Sequence, residues 1–255
     1  MNTVLESRNL NKNFAMGKGV AQHVLKDVNL QVEKGEFVSV MGPSGSGKST
    51  LLYNVSGMDR MTYGSVVFNG KDLSLLPEKE LAAVRLNYMG FIFQHVHLLK
   101  NLSIFDNIIL TAYLANKRSR KEVNRKAEEL METCGITDIA GNDITQASGG
   151  QLQRVGICRA LINDPQIIFG DEPTGALNSK ASAEIMALLG SINSSGTTVM
   201  LVTHDVKVAA KTERVLFMLD GRIVEQKHLG KYSGEKQDAR TREEVLSAWL
   251  MGLGF

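Results

Sequence analysis

The chain has 255 residues, of which 43% are hydrophobic and 22% charged, with a formal net charge of +2. This length fits one large domain or two lobes, and this balance gives a globule with a real core rather than a disordered or fibrous chain. The small charge does not single out nucleic acid as the main partner, and no apolar run is long enough to cross a bilayer. No basic segment followed by an apolar core opens the chain, so no secretory leader is expected. The protein is expected to be soluble, or peripheral to a membrane through a partner. Cys134 and Cys158 are the only cysteines. They lack metal-ligand spacing and read as buried free thiols of a reducing cytosol.

Residues 1 to about 35 predict short strands and turns. Val28-Asn29-Leu30-Gln31-Val32 alternates apolar and polar side chains, the pattern of a half-buried strand. Phe14 stands alone in a polar stretch, and two readings are open: a small core anchor, or an aromatic face on which a nucleobase stacks. Glu33-Lys34-Gly35-Glu36 turns into a predicted strand over 36–41.

Gly42-Pro43-Ser44-Gly45-Ser46-Gly47-Lys48-Ser49-Thr50 follows that strand and precedes a helical run ending at Gly57. It satisfies G-x-x-x-x-G-K-[ST] in full. Glycines let backbone N–H groups turn inward around a phosphate chain. Lys48 adds a point charge near the β- and γ-phosphates, Ser49 offers a hydroxyl to Mg²⁺, and the helix N-terminus adds its dipole.

Two strands, 64–68 and 88–93, come next. The second ends at Gln94, where ligands gather in open α/β sheets. Residues 95 to about 163 become helical. Ser103 is placed to cap a helix beginning at Ile104, and Lys117–Lys121 opens a long polar helix with a solvated face. Ser148-Gly149-Gly150-Gln151 then offers an N-cap and exposed backbone donors at a helix start, a second anion site in the chain. Ile167–Gly170 is an apolar strand ending in Asp171 and Glu172. Asp171 can hold Mg²⁺ through water, and Glu172 can orient or deprotonate an attacking water. A buried strand over 197–203 ends at His204, a γ-phosphate contact on the same sheet. Residues 214–224 predict a hairpin turning at Asp220-Gly221. The stretch 227–238 reads as polar and mobile. An amphipathic helix over 242–250 carries the only Trp, Trp249, and either docks on its own domain or meets a partner.

In order and spacing, residues 1 to about 226 resemble the ATP-binding subunit of an ABC transporter. Gly42–Thr50 matches the Walker A loop, Gln94 the Q-loop glutamine, and Ser148–Gln151, continued by Gln153 and Arg154, the ABC signature. Asp171 and Glu172 match the Walker B aspartate and the catalytic glutamate, His204 the switch histidine, and Phe14 the adenine-stacking position. The resemblance implies an α/β fold: a P-loop NTPase core with a mostly parallel sheet, an N-terminal antiparallel β-subdomain and a helical subdomain at about 95–163. Residues 227–255 form a C-terminal extension. It implies ATP and Mg²⁺ as cofactors, with Ser49, Gln94 and Asp171 at the metal and Glu172, His204 and Gln94 in catalysis. Met41–Lys48, Gly90–Gln94 and Asp171–Leu177 are similar to the MacB and lipoprotein-releasing group, and bacitracin-type peptide-antibiotic resistance transporters share these motifs.

Three positions depart from the family pattern. Ala147 stands where leucine usually opens the signature, Phe14 replaces the commoner tyrosine, and Asn178 replaces an aspartate. The last predicts slower, less cooperative hydrolysis with ATP binding retained. The resemblance further implies that two copies meet head to tail, Ser148 and Gly150 of one closing over ATP held by Lys48 of the other. A membrane permease would dock near residues 95–110, placing the chain at the cytoplasmic face of the membrane, with no nucleic-acid partner. A non-transport ABC ATPase of DNA maintenance would carry coiled-coil or zinc insertions, and a translation factor a second module; neither is present. The reading is MacB-like export or antimicrobial-peptide resistance; a membrane signalling or cell-wall-regulating complex that moves no substrate is the alternative, which the sequence does not separate from export.

Overall fold

The computed structural model describes residues 2–15 and 21–255. Two 13-residue strands, β1 (Thr3–Ala15) and β2 (Ala21–Glu33), pair antiparallel and are followed by β3 (Phe37–Met41) and α1 (Lys48–Val55). Then come β4 (Tyr63–Phe68), β5 (Lys71–Asp72), α2 (Glu78–Tyr88) and β6 (Met89–Phe93). Three helices follow: α3 (Ile104–Ala115), α4 (Arg120–Cys134) and α5 (Gly149–Leu161). The chain closes with β7 (Ile167–Asp171), α6 (Ser179–Ser194), β8 (Thr198–Val202), α7 (Val206–Ala209), β9 (Arg214–Leu219), β10 (Arg222–His228) and α8 (Lys236–Gly252).

The strands form two sheets. One runs β2-β1-β4-β5 and is antiparallel; the other runs β10-β9-β3-β8-β7-β6, parallel except for the edge strand β10. The parallel strands read as continuous apolar runs because both faces are covered. Their alternate side chains serve two cores. Val38, Val40, Ile167, Phe169, Met200 and Val202 pack with α1 and the antiparallel sheet, while Phe37, Ile168, Val199 and Leu201 pack with α3 to α6. Cys134 and Cys158 are buried free thiols in this second core.

The N-terminal residues differ from the expected short strands and turns. Asn9 and Asp27 adopt left-handed φ values of 46° and 51°, and the β1–β2 and β1–β4 registers shift beside them. These bulges break the alternation that would have marked two long strands. Helix α2 has no counterpart in the sequence reading, because only Leu81 and Val84 of its eleven residues are buried and a two-residue stripe gives little periodicity. The stretch 227–238, expected to be mobile, is tied down. Residues 227–228 extend β10, Ser233 bonds Asp238, and the carbonyls of Leu229, Gly230 and Lys231 accept from Arg242.

All the parallel strands that carry predicted site residues end on the same sheet edge. β3 leads into Gly42, β6 into Gln94, β7 into Asp171 and Glu172, and β8 into Thr203 and His204. This is the edge where ligands bind in open α/β sheets.

Candidate functional site

The loop after β3 is shaped by what its neighbours leave room for. Gly42 has φ 149°, and a Cβ there would stand 2.0 Å from the Met218 carbonyl oxygen. Gly45 and Gly47 have φ values of 80° and 100°, the region glycine enters without steric cost. Gly47 caps α1 with no side-chain hydrogen bond, so the first amides of that helix keep their donors for an anion. Pro43 and Ser44 complete the turn. Ser46 is 3% exposed, and its Oγ has no hydrogen-bond partner.

Lys48 is buried at 8% exposure, and its Nζ donates to the carbonyls of Gly42 and Pro43, both at 2.8 Å. An ammonium has three donors, so one is left for a phosphate oxygen. Burial pulls its pKa below the ordinary lysine value, and the Glu172 and Asp171 carboxylates oppose that shift. Ser49 Oγ donates to Asp171 Oδ1 at 2.8 Å, and Tyr53 Oη donates to Asp171 Oδ2 at 2.6 Å. Burial first, and then the Asp171 bond, push the Tyr53 phenol far above its usual range.

Glu172 occupies a left-handed conformation, φ 47°. Its N–H donates to the Val202 carbonyl at 3.0 Å, and its carbonyl accepts from the Gly175 N–H at 3.0 Å. His204 Nδ1 lies 3.1 Å from Glu172 Oε1. Gln94 approaches from the other side: a Cβ on Gly175 would stand 3.0 Å from Gln94 Nε2 and 3.2 Å from Glu172 Oε2. A larger residue there would crowd both side-chain ends by a few tenths of an ångström.

Ser44, Gly45, Gly47, Lys48, Ser49, Thr50, Glu172 and His204, with Gln22 and Val24 of β2, line a cavity of about 570 Å³; Gln94, Asp171 and Tyr53 do not line it. Gln22 and Val24 were not predicted, since nothing in a bulged strand marks them. Tyr53 was passed over as part of a helical run; its place four residues after Ser49, on the same helix face, was the available signal. Phe14 is outside the lining. It is 40% exposed, pairs with Gln22 across β1–β2, and carries the Lys12 ammonium 4.7 Å from its ring centre.

The signature residues are also outside this cavity. Ser148 caps α5, accepting from the Gln151 N–H at 3.3 Å while Gln151 Oε1 accepts from the Ser148 N–H at 2.8 Å, a reciprocal capping box. Ser148 and Gly149 are exposed at the start of α5, and a Cβ on Gly150 would meet the Ala181 methyl at 3.5 Å. Gln153 Nε2 donates to the Phe93 carbonyl at 3.1 Å, tying α5 to the residue before Gln94.

The residues present fit a nucleotide and a hard cation. The Lys48 ammonium keeps one donor beyond its two carbonyl bonds and the first amides of α1 keep theirs, groups that a bound phosphate would satisfy. Ser49 and Asp171 set two hard oxygen donors side by side. Among the described residues no group of three or more His, Cys, Asp or Glu side chains is placed to hold a metal. That fits Mg²⁺, which takes one or two protein oxygens and completes its shell with phosphates and water.

Residues 25–175 match the ABC transporter family. The chain is 42% identical over 228 residues to the bacitracin export ATP-binding protein BceA of Halalkalibacterium halodurans, covering 89% of each. It is 40% identical over 257 residues to the macrolide export ATP-binding/permease protein MacB of Hahella chejuensis, covering 97% of this chain and 39% of that one. Among solved structures it is similar to the dimeric ATP-binding cassette MJ0796 in a post-hydrolysis state bound to ADP and Pi, with TM-score 0.83 and 38% identity over 89% of this chain and all of the other. The chain belongs to the ABC transporter family and has the fold of its ATP-binding cassettes.

Proposed function

We propose that this chain is the ATP-hydrolysing subunit of an export transporter of the BceA or MacB type, powering a separate membrane permease and acting in resistance to antimicrobial peptides or related antibiotics. The printed functions of those two relatives support the export reading. No helix among the described residues is long and apolar enough to cross a membrane. Peripheral attachment at the cytoplasmic face, through the permease, follows from reading the chain as the ATPase subunit of such a transporter. Residues 1–226 would be the ATPase domain, with a helical subdomain at about 95–163 that docks the permease, and 227–255 a C-terminal extension.

One observation carries the mechanism. The phosphate loop, Glu172 and His204 share a cavity, with Asp171 bonded to Ser49 at its side, while the capped start of α5 lies outside it. A single copy therefore holds half a site. Two copies head to tail would bring Ser148, Gly149, Gly150 and Gln151 of one over the nucleotide held by the other.

In that dimer the amides of 42–50 and Lys48 hold the phosphates, and Phe14 stacks on the base. Ser49, Gln94 and Asp171 would hold Mg²⁺, which would neutralise charge on the β- and γ-oxygens. Glu172 takes the proton of the attacking water on its carboxylate. His204 would meet charge developing on the γ-phosphate through an Nε2–H donor, which together with an Nδ1–H on Glu172 requires the imidazolium form. Catalysis is then positioning and electrostatic stabilisation.

Glu172→Gln keeps the side-chain shape and removes the base. It is expected to elute as a dimer with ATP and Mg²⁺ and to hydrolyse ATP at least a hundredfold more slowly than wild type. A variant that stays monomeric under those conditions overturns the head-to-tail account.

A further inference from the structure

Asp171 receives two hydroxyl groups from one helix. Ser49 and Tyr53 are four residues apart on α1, so both face β7, against which α1 packs. Their bonds fall on different carboxylate oxygens, Ser49 on Oδ1 and Tyr53 on Oδ2. The two bonds serve different ends. A serine hydroxyl that turns to a metal redirects its oxygen to the ion, and its hold on Oδ1 changes. The Tyr53 bond is on the far oxygen and has no such competitor. Its ring packs against the core between α1 and the sheets, which fixes the direction of the O–H. At 2.6 Å the bond lies within the range of charge-assisted O–H···O⁻ bonds, which are stronger than neutral ones.

We propose that Tyr53 is a positioning residue for the metal-binding carboxylate: its hydroxyl locks the rotation of the Asp171 side chain so that Oδ1 stays turned to Ser49 and the phosphate loop while the cation arrives and leaves. Tyr53 does not touch the nucleotide. It acts through Asp171, and the inference rests on reading Asp171 as the carboxylate that holds Mg²⁺. A carboxylate free to rotate would have to be oriented at each binding event, so its loss falls on metal affinity before nucleotide affinity.

The test reads the metal without turnover. In a Glu172→Gln background, Mn²⁺ is titrated against the protein with saturating ATP and followed by electron paramagnetic resonance, beside nucleotide binding in EDTA. Tyr53→Phe keeps the ring and removes the hydroxyl. It is expected to weaken Mn²⁺ binding about tenfold, the order of one charge-assisted hydrogen bond, with metal-free nucleotide affinity within twofold and a thermal midpoint within a few degrees of the parent. Asp171→Asn is the control for the site itself. Unchanged Mn²⁺ affinity in Tyr53→Phe, with loss in Asp171→Asn, would overturn the role of Tyr53 and leave the metal reading standing. Unchanged affinity in Asp171→Asn would overturn the metal reading instead. An equal fall in metal-free nucleotide binding in Tyr53→Phe would mark a general structural effect and also overturn the proposal.

Discussion

Glu172 combines a left-handed backbone with a carboxylate that meets His204 and comes close to Gln94. A non-glycine residue in that region costs about 1–2 kcal/mol. The bonds of its N–H to Val202 and of its carbonyl to Gly175 hold it there. The strain turns the carboxylate off the line of β7, where Asp171 still follows the strand, so two adjacent acids face different partners. Asn178 lies six residues on and caps α6, its Oδ1 accepting from the Ala181 N–H at 2.9 Å. Aspartate caps as well as asparagine, so Asn178→Asp should leave stability within about 0.5 kcal/mol and change only the charge. If the missing charge limits the composite site, turnover rises; an unchanged or lower rate at equal ATP affinity would sink that reading.

At the scale of elements, α8 shows how a C-terminal segment becomes part of the core. Leu246 and Leu250 pack with Met41, Ala209 and Phe217. Trp249 and Phe255 both meet the Phe217 ring edge-on, at 6.1 and 5.7 Å, the arrangement aromatic quadrupoles favour. Arg242 is 6% exposed and donates to five backbone carbonyls: Ala210, Thr212, Leu229, Gly230 and Lys231. No carboxylate among the described residues pairs with it; the carbonyl cage satisfies the guanidinium. Ala210 and Thr212 lie just past α7, the helix that follows His204, so α8 braces the segment behind the histidine. Arg242→Met keeps much of the apolar volume and removes every donor. Denaturant unfolding should show a loss of about 2–4 kcal/mol; a loss below about 1 kcal/mol would mean that the cage is solvated without cost.

For the whole molecule, the two sheets and the helices α3 to α6 divide the work. The parallel sheet sets the phosphate loop, Gln94, Asp171, Glu172 and His204 on one edge. The helices set the signature apart from it, and α5 is joined to the segment on either side of Gln94 by Gln153 on the Phe93 carbonyl and Arg159 on the Val96 and His97 carbonyls. Affinity purification of the tagged chain from solubilised host membranes is expected to bring down a permease. A long permease with a large extracellular loop would support peptide resistance or sensing. Recovery of soluble proteins or nucleic acid alone would overturn the transporter reading.

The sequence by itself determined the phosphate loop, the strand-end acids and the α5 cap, because each is set by neighbours a few residues away. G-x-x-x-x-G-K-S needs only its own glycines and the next helix turn, and the Ser148–Gln151 capping box closes within four residues. Tertiary structure alone decided the rest. The β1–β2 bulges at Asn9 and Asp27, the docking of 227–238 under Arg242, and the meeting of Tyr53 with Asp171 all depend on partners far along the chain. So does the exclusion of Ser148 from the cavity of its own copy. A local pattern says which conformations a segment prefers; burial, and the need to satisfy each buried polar group, choose its partners only once the chain has folded.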